Sequence, residues 1–370
     1  MVELAEIFRC HGPEYRAHFG DRMPPSHLAA MQAIEQCRTE ALGGHVYQCA
    51  ECEELEYSYH SCKNRHCPKC QNGDATRWLD TQRQLLLPVP YFLVTFTLPE
   101  PLRPVARSHQ KCLYNLLFHS SAAALQALAL DTKYVGGQIG MVGVLHTWTR
   151  DMAYHPHVHY LVPGGALAPG GATWLTPRST DWLVPVHALS TLFRGKFKAA
   201  LTTAGLLAHV PPQVWRKGWI THCQPAGTGT EVITYLAPYI RRIAITNNRI
   251  EKLEDGHVTF RFKASGSEKW QHRTLPAAAF IRRFLQHVLP KGFIKVRYYG
   301  FLSPSRRTTL APIRTLLETC SSHDRAVQSH PYRKQPAPPP APEEILHCRT
   351  CGGPLVFLYR LVPNKRGPPP

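Results

Sequence analysis

Short runs of apolar and β-branched residues alternate with polar stretches through the middle of the chain. The run YFLVTFTL at residues 91–98 predicts a strand, because β-branched and aromatic residues dominate it. An amphipathic stretch at residues 107–130 predicts a helix, and the runs IGMVGVLHTW and HVHYLV predict two further strands. This order of elements predicts an α/β or α+β domain that is built on a sheet.

Changes in composition divide the chain into four regions. Residues 1–86 combine a helical opening with a dense group of Cys and His, and the step Pro88-Val89-Pro90 ends this region because proline cannot continue a helix. Residues 87–317 contain the predicted sheet. Residues 318–345 form a predicted extended linker rich in proline, and residues 346–370 form a small predicted tail.

The charge of the chain favours a polyanionic partner. Its 370 residues include 43 Lys and Arg against 25 Asp and Glu, a net charge of +18 with neutral histidines. A membrane surface would suit that charge as well. However, the chain has no apolar run of about 18 residues, and its first residues lack the regions of a signal peptide. We therefore expect a protein of the bacterial cytosol or nucleoid that makes no membrane contact.

Cysteines in the first region have the spacing of zinc ligands. Cys49-x2-Cys52 is followed by Cys67-x2-Cys70, and two such knuckles can present four thiolates to one tetrahedral ion. The alternative is that these four are buried free cysteines. We predict a structural zinc ion in a ribbon-like fold, because a segment with little apolar area gains folding energy from the metal.

Further Cys and His residues remain after that assignment. One group could form a second zinc site or hydrogen-bond around the first: Cys37, His45, Cys62 and His66. The tail carries half of such a motif, Cys348-x2-Cys351, which could form a C-terminal zinc site with Cys320, His323 or His347. The alternative is a partly ordered remnant that binds no metal.

Basic residues lie between the cysteines of the first region. Lys63, Arg65 and Lys69 alternate with the predicted zinc ligands, which favours a role in gripping DNA phosphates. A ribbon that binds another protein is the alternative, because zinc ribbons serve both purposes.

Two histidines lie at alternate positions of a predicted strand. In HPHVHYLV, His157 and His159 point to the same face and can bind one metal ion. Antiparallel pairing with the run VGVLHTW could add His146 as a third ligand. His155 competes for that place, although we expect Pro156 to set it outside the regular strand. The alternative is a solvated strand face that carries histidines without metal.

Two tyrosines lie four residues apart in EVITYLAPYIRRIAI. Tyr235 and Tyr239 would share one helical face, and Pro238 is compatible with that helix if Thr234 is its N-cap. Half-buried core tyrosines are the alternative. Three arginines that follow could bind phosphate or lie on a solvated face: Arg241, Arg242 and Arg249.

The chemistry of the two pairs is complementary. A phenol has a pKa near 10, so its attack on a phosphodiester requires a divalent cation that neutralises and orients the phosphate. Imidazole ligands with an open coordination position can hold that cation. A metallohydrolase that uses water would instead require carboxylates near the histidines, and HVHYLVPGG contains none.

The chain resembles the insertion-sequence-91 family of rolling-circle transposases, within the wider class of His-hydrophobic-His nucleases, over residues 6–315. The strings CRTEALGGHVYQCAEC and SYHSCKNRHCPKCQ resemble the zinc-binding domain of that family. The strings VLHTW, HPHVHYLVPGG and YLAPYIRRIAITNNRI resemble its transposase domain. Leu93 stands where many relatives carry a histidine.

The resemblance implies an α+β nuclease domain with a central antiparallel sheet flanked by helices. It also implies that His157 and His159 bind magnesium or manganese and that Tyr235 and Tyr239 are nucleophiles. The enzyme would nick single-stranded or hairpin DNA at element ends and in the target, through a 5′-phosphotyrosine, and then rejoin it. A replication initiator or relaxase, or a domesticated DNA-binding regulator, is the alternative. Acidic residues are too sparse to favour a carboxylate-triad transposase.

Overall fold

The computed structural model describes residues 2–70, 82–228, 231, 243–264, 266–321 and 346–364. The described helices are α1 (Leu4–Phe19), α2 (Pro25–Glu35), α3 (Arg103–Ser108), α4 (Gln110–Leu130), α5 (Val186–Thr203), α6 (Ala277–Leu285) and α7 (Leu310–Ser321). The strands are β1 (Gly44–Cys49), β2 (Leu55–Tyr59), β3 (Pro90–Thr97), β4 (Met141–Trp148), β5 (Tyr154–Pro163), β6 (Ala166–Leu167), β7 (Trp174–Leu175), β8 (Thr221–Thr228), β9 (Ile250–Glu254), β10 (His257–Lys263), β11 (Trp270–Pro276), β12 (Val296–Tyr299) and β13 (Leu355–Leu361).

The chain divides into two compact units. The first, here called the sheet unit, comprises Asn72–Asp324, and the second, the cysteine-rich unit, combines Val2–Gln71 with Arg325–Pro370. The predicted boundary at residue 86 lies inside the sheet unit, where Leu85 and Leu86 pack against a core. Most of the predicted linker, residues 322–345, lies outside the described residues, and α7 continues to Ser321.

A five-stranded sheet organises the sheet unit. Its order is β12-β4-β5-β3-β8, and every neighbouring pair is antiparallel, so the predicted α+β class is confirmed. The predicted strands and helix at β3, β4, β5 and α4 all form. Among the described helices, none is both long and apolar enough to cross a bilayer.

The two faces of this sheet have different partners. On one face α4 and α5 pack over Val94, Phe96, Val158 and Tyr160 in the largest core of the unit. Complete burial of each such side chain contributes about 1.5–3 kcal/mol. The Tyr160 hydroxyl is also satisfied, because it lies 2.8 Å from Ser121 Oγ and donates to the Phe118 carbonyl at 3.1 Å.

The opposite face is apolar at one end and polar at the other. Val142, Val144 and Leu161 pack beneath α7, through Leu310 and Ile313. Beyond this apolar half the same face carries histidines and threonines, since residues paired across an antiparallel sheet share a face. The fold thus leaves one half of this sheet face for polar side chains.

Strand β5 begins earlier than the sequence predicts. His155 and Pro156 lie within β5, which starts at Tyr154, so the expectation that Pro156 would set His155 outside the strand was wrong. The pairing of β4 with β5 is irregular between His146 and Trp148, and a proline without an N–H is tolerated at such an irregularity. The Pro156 carbonyl still accepts a hydrogen bond from Leu98 N–H at 3.0 Å.

A second sheet has the order β11-β10-β9. Residues of this sheet and of the segment after it contact the turn between β4 and β5. Arg273 forms an ion pair of 2.5 Å with Asp151 in that turn, and Arg283 donates to the Asp151 carbonyl at 3.1 Å. His287 is buried, with one ring nitrogen 3.2 Å from Thr147 Oγ1 and the other 3.1 Å from the Met152 carbonyl. The turn that joins the two histidine strands is therefore fixed from several sides.

The close packing of β4 against Tyr160 predicts a stability effect. A Cβ at Gly143 would lie 2.5 Å from Tyr160 Cε1 and 3.2 Å from Phe118 Cε1, so Gly143→Ala should lower the free energy of unfolding by about 1–3 kcal/mol. Gly195 in α5 has open space at its Cβ position, and Gly195→Ala should raise that free energy by about 0.5–1 kcal/mol. Chemical denaturation of both full-length variants measures the two effects, and equal midpoints would contradict this packing.

Candidate functional site

Three histidine side chains converge on the polar half of the sheet face. His146 on β4 pairs directly with His157 on β5, and His159 follows on the same face of β5. Their ring centroids lie 5.4 Å, 5.1 Å and 4.7 Å apart, and one potential ligand atom of each lies within 4.8 Å of the others. The three imidazoles can therefore bind a single ion, as the strand pairing predicts.

Hydrogen bonds orient two of these rings. His157 Nδ1 lies 2.7 Å from the His155 carbonyl, to which it donates, and His159 Nδ1 lies 2.8 Å from Thr95 Oγ1. Metal-binding histidines commonly donate one N–H to such a partner and bind the ion with the other nitrogen. Burial lowers the pKa of His157 to about 4, although its bond to the His155 carbonyl opposes the shift. The ring is therefore neutral near pH 7, the form that binds metal.

His155 is held by a different partner. Its Nδ1 accepts a hydrogen bond of 2.8 Å from Arg103, whose guanidinium also contacts Glu100 at 3.4 Å. Burial and the Arg103 charge lower the pKa of His155. Since His146 lies with His157 and His159, the structure favours His146 over His155 as the third member of this cluster.

Sequence reasoning missed several residues around the cluster. Thr95 contacts His159, and Trp148 stacks on His146 at a centroid distance of 5.1 Å. His222 on β8 pairs with Thr95 and so shares the polar face. The alternate polar positions Thr95 and Thr97 within an otherwise apolar strand were the available signal. Leu93 faces the apolar half, paired with Leu161 and 4% exposed.

The cysteines of the other unit form two clusters whose membership differs from the prediction. Cys37, Cys62, Cys67 and Cys70 lie together, and Cys49 and Cys52 lie with Cys348 and Cys351. The predicted grouping of Cys49 and Cys52 with Cys67 and Cys70 is therefore not formed. The physical reason is strand pairing. β1 ends at Cys49 opposite Leu355 of β13, and this pairing brings the Cys348 knuckle beside the Cys49 knuckle.

The histidines proposed for zinc lie outside both clusters. The ring of His45 packs against His60 at 5.0 Å and Phe357 at 5.7 Å, and the His66 backbone donates to Asn64 Oδ1. The C-terminal knuckle does not use His347, whose Nδ1 lies 3.0 Å from the Gly352 carbonyl. The predicted site of Cys37, His45, Cys62 and His66 is thus replaced by one with four cysteines.

Two families of known proteins match consecutive parts of the chain. The family described as "Transposase zinc-binding domain" matches residues 7–98, and the family described as "Putative transposase" matches residues 140–309. The "Putative transposase y4qJ" of Sinorhizobium fredii is 39% identical over 336 residues, which cover 85% of this chain and 84% of the relative. The chain belongs to the insertion-sequence-91 family of transposases.

A second relative names the element that it moves. The "Transposase for insertion sequence element IS801" of Pseudomonas savastanoi pv. phaseolicola is 29% identical over 288 residues, which cover 72% of this chain and 68% of the relative. No solved structure matches the transposase.

The remaining predicted site residues of this transposase have varied surroundings. Tyr235, Tyr239, Arg241 and Arg242 lie outside the described residues. Arg249 donates to the Arg261 carbonyl at 2.9 Å and to the Arg150 carbonyl, so it contributes to the packing of the small sheet. Lys69 forms an ion pair of 2.6 Å with Glu3. Lys63 and Arg65 lie at the surface.

The contact between Thr95 and His159 predicts an effect on metal affinity. Thr95→Val removes the hydroxyl that orients His159, and loss of such a partner weakens metal binding by about 10- to 100-fold. Electron paramagnetic resonance of free manganese, titrated into the full-length transposase, measures this dissociation constant. Thr259→Val, which removes a hydroxyl paired with Thr274 on the small sheet, should leave it unchanged. Equal affinity in both variants would exclude this role for Thr95.

Proposed function

We propose that this transposase nicks and rejoins single-stranded DNA through a 5′-phosphotyrosine intermediate, in rolling-circle transposition. The convergence of His146, His157 and His159 on one point carries the proposal. Membership of the family supports it, since the transposase match includes these histidines and extends through Tyr235 and Tyr239. A divalent ion that neutralises phosphate charge and orients a phosphodiester for attack by a side-chain nucleophile is a recognised form of catalysis.

The three imidazoles fit a divalent cation that keeps open positions for oxygen ligands. We assign the catalytic ion as magnesium or manganese, held by His146, His157 and His159. When bound, such an ion neutralises the charge of the non-bridging phosphate oxygens and polarises the phosphorus. Thr95 and the His155 carbonyl fix the directions of the rings.

The two tyrosines would divide the transfer reaction. One phenol loses its proton, and its oxygen forms a bond to phosphorus while the bond to the 3′ oxygen breaks. That oxygen leaves as a free 3′-OH, and the 5′ end stays attached to the enzyme. In strand transfer a 3′-OH attacks a phosphotyrosine, which restores the phosphodiester and releases the phenol. Two tyrosines permit one cleavage at the element and one at the target within the same enzyme.

The partner is single-stranded or hairpin DNA at the element ends and in the target. A net charge of +18 favours contact with phosphates, and the exposed Lys63 and Arg65 can contribute to it. We also propose Arg241 and Arg242 as phosphate contacts near the tyrosines. The transposase would therefore act on DNA in the bacterial cytoplasm, where it associates with the nucleoid.

Formation of a covalent adduct tests the mechanism. Full-length transposase is incubated with labelled single-stranded DNA of an element end and manganese, and adducts are resolved on a denaturing gel. The variant with both Tyr235→Phe and Tyr239→Phe should form no adduct, because neither position retains a nucleophile. His157→Ala should slow adduct formation by at least about 100-fold while DNA binding persists.

Matched controls use residues of the same types away from the cluster. Tyr134→Phe keeps the ring that packs on Trp182, and His257→Ala alters an exposed strand end, so both should form adduct at the wild-type rate. A double tyrosine variant that still forms adduct at that rate would refute the proposed nucleophiles.

The choice of ion gives a separate prediction. Imidazole nitrogen binds manganese more strongly than magnesium, which prefers oxygen ligands. At equal concentrations, manganese should therefore support faster adduct formation than magnesium. The initial rates in each ion measure the difference, and adduct formation that persists in a chelator would refute metal dependence.

A further inference from the structure

The C-terminal knuckle has the same local structure as the knuckle at Cys49. Cys49 N–H donates to the Glu54 carbonyl, and Cys348 N–H donates to the Gly353 carbonyl, in both cases five residues later. Each first cysteine also accepts through its carbonyl from the residue four positions on, at 3.1 Å from Glu53 and 2.9 Å from Gly352. Both of these residues adopt a positive φ, 60° and 80°.

Backbone N–H groups also point at the sulfur atoms in both knuckles. Glu51 N–H donates to Cys49 Sγ at 3.5 Å, and Thr350 N–H donates to Cys348 Sγ at 3.4 Å. Such bonds stabilise the thiolate form that binds zinc. The two knuckles are therefore equivalent halves of one thiolate site.

The knuckle at Cys67 differs from these two. It closes with a hydrogen bond of 3.3 Å from Cys70 N–H to the Cys67 carbonyl, one residue tighter than the turns at Cys49 and Cys348. Cys67 and Cys70 lie beside Cys37 and Cys62. Cys70 Sγ is 3.3 Å from Cys37 Sγ and 3.5 Å from Cys62 Sγ. The structural partner of the Cys49 knuckle is thus the knuckle at the far end of the chain.

Strand pairing holds the two equivalent knuckles together. β13 pairs antiparallel with β1, and Ala50 N–H donates to the Pro354 carbonyl at 3.0 Å. Arg349 N–H donates to Glu56 Oε1 at 2.5 Å, and its guanidinium lies 3.5 Å from the same carboxylate. These contacts bring the four sulfurs together.

The sulfur distances suit tetrahedral zinc. Cys49 Sγ lies 3.3 Å from Cys351 Sγ, and Cys52 Sγ lies 3.7 Å from Cys348 Sγ. A zinc–sulfur bond of about 2.3 Å requires about 3.8 Å between the sulfurs of a tetrahedron. All four sulfurs lie within 4.8 Å of one another, close to this requirement.

We propose that Cys49, Cys52, Cys348 and Cys351 bind one zinc ion, in addition to an ion held by Cys37, Cys62, Cys67 and Cys70. The match to the transposase zinc-binding domain ends at residue 98, so this site lies half outside it. Strand β13 then completes the sheet that β1 and β2 form. This inference does not depend on the proposed strand-transfer chemistry.

Zinc stoichiometry of the full-length chain tests the site. The measurement uses a His157→Ala, His159→Ala background, so that the histidine cluster does not bind zinc. Atomic absorption should give two zinc ions per chain in this background and one after Cys348→Ser with Cys351→Ser. The control pair Cys10→Ser and Cys112→Ser, which changes cysteines outside both clusters, should retain two.

Alkylation of cysteines, mapped by mass spectrometry, distinguishes this grouping from a site in which Cys49 and Cys52 share an ion with Cys67 and Cys70. After Cys348→Ser with Cys351→Ser, Cys49 and Cys52 should become reactive while Cys67 and Cys70 stay protected. After Cys67→Ser with Cys70→Ser, Cys49, Cys52, Cys348 and Cys351 should all stay protected.

Three results would overturn the proposal. They are two zinc ions bound without the C-terminal cysteines, continued protection of Cys49 and Cys52 in that variant, and reactive Cys49 after loss of the Cys67 knuckle. The variant with Cys67→Ser and Cys70→Ser distinguishes the two groupings even where loss of the C-terminal knuckle unfolds the cysteine-rich unit. Cys351→His, which keeps a zinc ligand, should retain two ions and excludes a general folding defect.

Discussion

The pairing of β4 with β5 is the constraint on which the candidate active site depends. Its register sets His146 opposite His157 and Val144 opposite His159, so a shift of one residue would move one strand's histidines to the face covered by α4 and α5. The apolar packing beneath α7 opposes such a shift, because Val144 and Leu161 would lose their contacts. Ligand geometry and core packing are thus two consequences of the same register.

Much of this arrangement could be predicted from local patterns. A period of two residues identified β3, β4 and β5 and put His157 and His159 on one face, and the neighbouring strand suggested His146. The same reasoning failed at Pro156, where an irregular pairing accommodates a proline within the strand. Thr95 was missed because a threonine in a strand has many ordinary roles, and only the register shows that it reaches His159.

The cysteines show where local spacing is insufficient. Two knuckles that are close in sequence predict a shared ion. In the structure the Cys67 knuckle lies with Cys37, which follows α2, and the Cys49 knuckle lies with the two cysteines that precede β13. The cysteines that lie with Cys49 and Cys52 follow them by 296–302 residues, beyond any motif of fixed length. Such a pairing follows from sheet formation between distant segments, which no pattern within a short window of sequence reports.

Because β13 follows β1 by about 300 residues of chain, β1 acquires this neighbouring strand long after its own synthesis. The 302 residues that separate Cys49 from Cys351 take about 15–60 s to synthesise at roughly 5–20 residues per second. Until then the nascent chain carries a cysteine-rich unit with an unpaired strand edge. A product of an interrupted reading frame would keep that open edge, whatever the state of its sheet unit. The fold therefore couples completion of the cysteine-rich unit to translation as far as β13.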